Sequence, residues 1–288
     1  MKLGLSFAST VAFDSNTSLD LCRKAESLGF DSVWAAEHVV RPSRIDSRYP
    51  YTADGVMPGE TDAPIPDPLI WLAYVASTVP NMKLGTCILI LPQRNPLILA
   101  KELGTLDHLS GGRVELGIGV GWMKEEFDAL GVEWAHRGSR TNEYIEALRI
   151  LWSGPEVEFH GKFVDFPRVT VNPRPANGSI PIIVGGDTPA AVRRAGRLAD
   201  GYYPGAADPA ELRRLITDVR EVAREAGRSP DDIRINVHPQ LGSTDPAGDI
   251  AFYQELGVSR IMVPAFAMLA PGGIRNIEAL AEAFISSE

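Results

Sequence analysis

The chain has 288 residues, of which 44% are hydrophobic and 23% are charged, and its formal net charge at pH 7 is −9. This composition is that of an ordinary globular protein, and the acidic balance argues against nucleic acids and anionic membranes as partners. The two cysteines, Cys22 and Cys87, are too few and too isolated for a disulfide framework or a zinc site. The segment Met1–Ala8 lacks the apolar core of a signal peptide, and no window is apolar enough to span a bilayer, so we expect a cytoplasmic protein.

Short apolar segments alternate with longer amphipathic ones along the chain, which predicts strands that alternate with helices. Glycine joints at Gly29 and Gly257 end a helix directly before a strand, as repeated βα units require. About eight such units predict a (β/α)8 TIM barrel that forms a single domain over residues 1–288, with an open doubly wound sheet as the alternative. The predicted strands are Lys2–Phe7, Ser32–Ala36, Lys83–Leu89, Arg113–Ile118, Pro181–Val184, Gly201–Tyr203, Ile233–Val237 and Arg260–Val263.

Two segments interrupt this alternation. Val39–Pro66 predicts a long loop after strand 2, which in a barrel would lie over the catalytic face. Pro155–Pro175 predicts a hairpin excursion after helix 4. Elsewhere the helix starts are well marked, since Asp187 and Thr188 precede one proline and Asp245 precedes another.

A glycine-rich run, Leu109–Trp122, ends one helix, forms a buried strand and leaves Gly119 and Gly121 at the strand's C-terminal end. Ligands of parallel α/β proteins bind at such ends, and glycines there let a large group approach the backbone. Relief of crowding inside a barrel explains the same glycines equally well. The spacing is not GxGxxG, so the run does not match the dinucleotide-binding fingerprint.

His38 follows the second predicted strand, directly after Glu37. A lone histidine is more often structural than catalytic, but polar residues at the C-terminal ends of barrel strands usually serve function. Histidine is also the side chain best suited to proton transfer near neutral pH, so we take His38 as the main acid–base candidate. His238, at the end of the seventh strand, is its nearest rival.

The remaining reactive side chains favour structural roles. No basic partner for Cys87 is evident, so packing is the favoured interpretation of this residue, and His108 near a helix end suits the helix dipole. His136, His160 and His238 show neither HxH nor HExxH spacing, and we therefore expect no metal.

A turn with two glycines, Gly185 and Gly186, joins the fifth strand to a helix that begins near Thr188. Free amides and the helix dipole at such a turn favour a phosphate group, and this interpretation is slightly ahead of a simple tight turn.

In this order the motifs resemble those of the bacterial luciferase-like family, and especially its branch that uses the deazaflavin coenzyme F420. The resemblance covers nearly the whole chain and implies a (β/α)8 barrel, an oxidoreductase activity on a small-molecule substrate and a homodimer. The motifs that carry it are Glu37–His38, Leu84–Ile88, Leu109–Trp122, Arg137–Gly138 with the following helix, and Val184–Asp187.

The resemblance also implies the site. It makes His38 the catalytic proton donor at the redox ring and Cys87–Ile88 a non-prolyl cis peptide that bulges against the ring, while residues 185–188 hold the cofactor's phosphate. The implied cofactor-binding residues are Glu37, His38, Thr86, Cys87, Ile88, Val120, Gly121, Glu125, Gly185, Gly186, Asp187 and Thr188.

One position departs from the family pattern. Sugar-phosphate dehydrogenases of this family carry a glutamate directly after the glycines of the fourth strand, where this chain has Trp122. The departure argues against glucose-6-phosphate oxidation, and Trp122 either walls an apolar pocket or packs. Hydride transfer with F420 is the expected function. A flavin monooxygenase that uses reduced FMN and oxygen is the alternative, and a non-catalytic flavin- or deazaflavin-binding protein is the third possibility.

Overall fold

The computed structural model describes residues 1–11, 14–206, 208–240, 245–269 and 278. Eight parallel strands (β1, β2, β3, β5, β8, β9, β10 and β11) pair in that order, and the last returns to the first. This closed ring confirms the (β/α)8 barrel and excludes the open sheet. The strands of the described residues are β1 (Lys2–Ser6), β2 (Ser32–Ala35), β3 (Lys83–Thr86), β4 (Leu89–Ile90), β5 (Val114–Gly119), β6 (Val157–His160), β7 (Asp165–Val169), β8 (Ile182–Gly185), β9 (Gly201–Tyr203), β10 (Arg234–Val237) and β11 (Arg260–Pro264).

Helices surround this barrel and cover the outward faces of its strands, where Leu5, Val33 and Leu116 are fully buried. None of the helices in the described ranges is both long enough and apolar enough to cross a bilayer. The α-helices are α1 (Ala8–Val11), α2 (Ser15–Ser27), α3 (Pro68–Val75), α4 (Pro96–Leu109), α5 (Lys124–Ala129), α6 (Arg137–Ser153), α7 (Pro189–Leu198), α8 (Pro209–Glu225), α9 (Pro246–Glu255) and α10 (Ala265–Leu269), with 3₁₀ turns at Leu91–Gln93 and Pro230–Asp232.

The two predicted interruptions are present. Residues 39–66 contain no helix or strand, and β6 pairs with β7 as an antiparallel hairpin after α6. The predicted caps are also present, since the side chains of Thr188 and Asp245 accept hydrogen bonds from the first turns of α7 and α9.

The prediction of one continuous strand over Lys83–Leu89 is wrong. The segment leaves the ladder after β3 and rejoins it as β4, with Leu84 paired to Val114 but Leu89 paired to Ile118. Five residues therefore span the distance that four residues of β5 cover, and the extra residue bulges out of the sheet.

The floor of the barrel holds a buried ion cluster. Glu115 of β5 accepts hydrogen bonds from Arg234 and Arg260, at 2.8 Å each, and Arg260 also binds Asp31 at 2.8 Å. Burial alone raises the pKa of Glu115, but the two guanidinium groups outweigh burial and hold the pKa below its usual value. The cluster thus joins three strands of the ring through charged side chains.

We expect Glu115→Gln to lower the free energy of unfolding by about 3 kcal/mol, because the buried guanidinium of Arg260 loses one of its two carboxylate partners. Urea denaturation at pH 7 measures this loss. Because the folded-state pKa is depressed, the contribution of Glu115 is present above its unfolded pKa and disappears as the pH falls through the folded value. Glu211→Gln, which removes an exposed partner of Arg214, is the control and should leave the midpoint unchanged. A wild-type midpoint in the Glu115 variant would contradict the assignment.

Candidate active site

The bulge between β3 and β4 explains the glycines of β5. A side chain at Gly117 would place its Cβ 1.9 Å from the carbonyl oxygen of Thr86, and one at Gly119 would lie 1.9 Å from Cδ1 of Ile88. Gly121 has a positive φ of 78°, and a Cβ there would crowd Phe127. At all three positions the structure favours relief of crowding over close approach of a ligand.

The peptide bond between Cys87 and Ile88 is cis, as predicted. Cys87 is buried, and its sulfur lies 3.4 Å from the backbone nitrogen of Phe7, which donates to it. Ile88 is half-buried beside two residues without side chains, Gly119 and Gly185. The bulge therefore brings an apolar side chain to the C-terminal end of the barrel, while the thiol packs inside.

Glu37 and His38 have different side-chain partners, although the two residues are adjacent in the sequence. One carboxylate oxygen of Glu37 accepts from Nε of Arg94 at 2.8 Å, and the other accepts from the amide of Ile90. Arg94 also binds Asp67, the residue that caps α3. Glu37 is thus buried and braces the chain after β4, and its place at the redox ring stays a prediction.

His38 is held instead by Glu126, a fully buried residue of α5. One carboxylate oxygen lies 3.0 Å from Nδ1 of His38, and the other accepts from the amide of Val39 at 2.7 Å. Because a carboxylate accepts hydrogen bonds, Nδ1 is the nitrogen that donates to Glu126, and Nε2 is the ring nitrogen that can give or take a proton. The His38 side chain is 11% exposed at the mouth of the barrel, so one polar edge is available to a ligand.

The neighbouring Glu125, predicted to flank the cofactor, binds the long loop. Its carboxylate accepts from the amides of Asp46 and Ser47 at 2.9 and 3.0 Å. Successive helical residues point about 100° apart, so only one of two adjacent glutamates can face His38. The sequence holds no spacing signal that selects Glu126, and sequence reasoning missed it.

Trp122 stands next to His38 with its ring edge-on, at 5.9 Å between ring centroids and 84° between planes. Its other neighbour is Tyr49 of the long loop, at 5.2 Å. Val120 and Gly121, the preceding residues, are half-buried at the end of β5. Trp122 therefore lines the mouth beside the candidate acid–base group.

The turn at Gly185–Thr188 is less open than predicted. The amide of Gly186 donates to the carbonyl of Tyr203 at 3.2 Å, and the Thr188 hydroxyl caps α7. Asp187 accepts from the amide of Gly205 at 2.7 Å, and burial raises the pKa of Asp187. The Gly186 amide therefore already has an acceptor, and the contact of a phosphate with this turn stays a prediction.

His238, the rival of His38, has internal partners. Nε2 lies 2.8 Å from the Tyr203 hydroxyl and Nδ1 lies 3.2 Å from the carbonyl of Met262, while burial lowers the pKa of His238. Both nitrogens are thus engaged, which leaves His38 as the better-placed histidine.

Comparison with known proteins identifies the family. Residues 4–247 match the family described as luciferase-like monooxygenase. The chain belongs to that family. An uncharacterized protein of Mycobacterium tuberculosis is 38% identical to this luciferase-like chain over 218 residues, 75% of each protein. An F420-dependent glucose-6-phosphate dehydrogenase of Microbacterium testaceum is 31% identical, over 81% of this chain and 67% of that enzyme.

Solved structures share the fold of this luciferase-like chain. A coenzyme F420-dependent tetrahydromethanopterin reductase from Methanopyrus kandleri superposes with a TM-score of 0.75 at 20% identity, over 98% of this chain and 97% of that one. A monooxygenase from Streptomyces bottropensis superposes with a TM-score of 0.76 at 22% identity, over 100% and 99%. The barrel fold is therefore common to proteins that differ in their named reactions.

Neither thiol of this luciferase-like protein should react in the folded state. Burial raises the pKa of Cys22 and of Cys87 to about 12, so at pH 8 roughly 0.01% of each is thiolate. We expect iodoacetamide at pH 8 to label both residues in urea but neither in the native protein, as measured by mass spectrometry. Stoichiometric native labelling of Cys87 would show that the bulge is open to solvent.

Proposed function

We propose that the protein is an F420-dependent oxidoreductase that transfers hydride between the deazaflavin and a small organic substrate, with His38 as its acid–base residue. The observation that carries this proposal is the His38–Glu126 pair, whose free histidine edge faces the mouth beside Trp122. The F420-dependent dehydrogenases among its relatives support the choice of cofactor.

The residues at the mouth fit a flat ring. Ile88 packs between Gly119 and Gly185, and because neither glycine carries a side chain, its apolar side chain fits at the C-terminal end of the barrel. Ile88 and Val120 would contact the ring, and His38 would meet its reacting edge. We do not assign the phosphate of F420 to the Gly186 amide, which already donates to the carbonyl of Tyr203. The turn around Gly185 remains a candidate, and the loops after β10 and β11 are the other one.

When bound, F420 would supply or accept a hydride. His38 would transfer the accompanying proton through Nε2, because Nδ1 is held by Glu126. Glu126 orients the imidazole, since the carboxylate is fully buried and lies 3.0 Å from Nδ1. Trp122 shields one side of the imidazole from water.

The cofactor can be tested directly by fluorescence titration with F420 and with FMN. We expect F420 to bind with a dissociation constant in the micromolar range or below, which corresponds to about −8 kcal/mol. Tight FMN binding without F420 binding would replace the proposal with a flavin monooxygenase. Binding of F420 without turnover on any substrate would instead favour a cofactor-binding protein.

We expect His38→Ala to lower kcat by about 10²–10⁴-fold, the usual contribution of a general acid–base group, while F420 affinity stays within a fewfold. Steady-state kinetics and the same titration measure the two quantities. His160→Ala is the matched control, because His160 is exposed on the β6–β7 hairpin and pairs only with Asp165 among the described residues. His238→Ala should affect kcat much less than His38→Ala. A larger loss in the His238 variant would contradict the assignment.

A further inference from the structure

Three aromatic side chains form a continuous row over the mouth of the barrel. The ring centroids of Trp122 and Tyr49 are 5.2 Å apart, and those of Tyr49 and Tyr51 are 5.4 Å apart. Both contacts are edge-on, with interplanar angles of 76° and 75°. The aromatic row therefore consists of Trp122, Tyr49 and Tyr51.

The row begins at the acid–base group and ends on the far side of the barrel. Trp122 contacts His38, which follows β2, whereas Tyr51 lies over Gly205, which follows β9. A Cβ at Gly205 would lie only 2.2 Å from the Tyr51 ring, so the glycine makes room for it. Because β2 and β9 are opposite one another in the ring of eight strands, the row spans the mouth.

The loop that carries the two tyrosines is fixed at its base. Glu125 holds the amides of Asp46 and Ser47, and the Ser47 hydroxyl in turn accepts from the amide of Lys124 at 3.1 Å. Tyr49 continues this anchored stretch, and its amide donates to the carbonyl of Gly55 at 2.8 Å. These hydrogen bonds hold the aromatic row in place along one side of the site.

The charges around the row are unfavourable for an anionic substrate. Glu126 lies at one end of the row and Asp187 near the other. Two nearby guanidinium groups are already engaged. Arg94 binds Glu37, and Arg137 stacks on the Trp134 ring at 3.6 Å and approaches the carbonyl of Gly121. A substrate phosphate or carboxylate placed along the row would therefore meet a carboxylate at either end.

We infer that the substrate is a neutral molecule with a flat apolar ring that carries a carbonyl or hydroxyl group, and that Trp122 determines this specificity. The inference rests on the proposed function for the role of His38. A group that hydrogen-bonds Nε2 of His38 places the rest of the substrate against Trp122, whose ring is 5.9 Å from the imidazole. Aromatic faces and edges favour flat apolar partners, and the row offers three of them in succession.

Isothermal titration calorimetry with acetophenone and with glucose 6-phosphate tests this inference on protein saturated with F420. Acetophenone should bind at least tenfold more tightly than glucose 6-phosphate. Trp122→Ala should weaken acetophenone binding by more than tenfold, whereas Trp122→Phe, which keeps an aromatic ring, should stay within threefold. Thermal melting of both variants checks that they fold.

Tighter binding of glucose 6-phosphate, absence of acetophenone binding, or wild-type affinity in Trp122→Ala would each overturn the inference. A second series of titrations, on protein saturated with FMN in place of F420, tests the inference independently of the proposed function. Failure of F420 to bind removes the proposed function alone, provided that the FMN-loaded protein still prefers acetophenone and still depends on Trp122.

Discussion

One extra residue between β3 and β4 determines the shape of the catalytic end. Because five residues oppose four of β5, the chain bulges at Cys87 and Ile88 and presses towards the neighbouring strand. Only glycine fits at Gly117 and Gly119 beneath that bulge, and Glu37 braces the chain where it rejoins the sheet. The glycines, the buried brace and the apolar surface at the mouth are thus consequences of one pairing offset.

Buried carboxylates serve different purposes at the two ends of the barrel. Glu115 at the floor is enclosed by two arginines, which fix its charge and join strands. Glu126 at the mouth lies 3.0 Å from Nδ1 of His38, and the other ring nitrogen, Nε2, is available to a ligand. Two arginine partners make the first carboxylate structural, whereas the second one orients an imidazole at the mouth.

The fold could be predicted from the sequence because strand and helix periods, glycine joints and proline-marked caps are local signals. The long loop, the hairpin and the caps at Thr188 and Asp245 belong to this class. The split of β3, the inward turn of Glu37 and the choice of Glu126 over Glu125 depend on partners remote in sequence, such as Arg94 and Asp46. Those partners come together only when the barrel closes, so a short stretch of sequence does not reveal them.

The two glutamates at the start of α5 have a mechanical consequence. Glu125 accepts hydrogen bonds from the long loop and Glu126 contacts the imidazole of His38, and both lie on the six-residue α5. The loop and the histidine are therefore tethered to the same short rigid body, and a rearrangement of one pulls on the other. Chain length between residues 38 and 46 is therefore constrained from both sides.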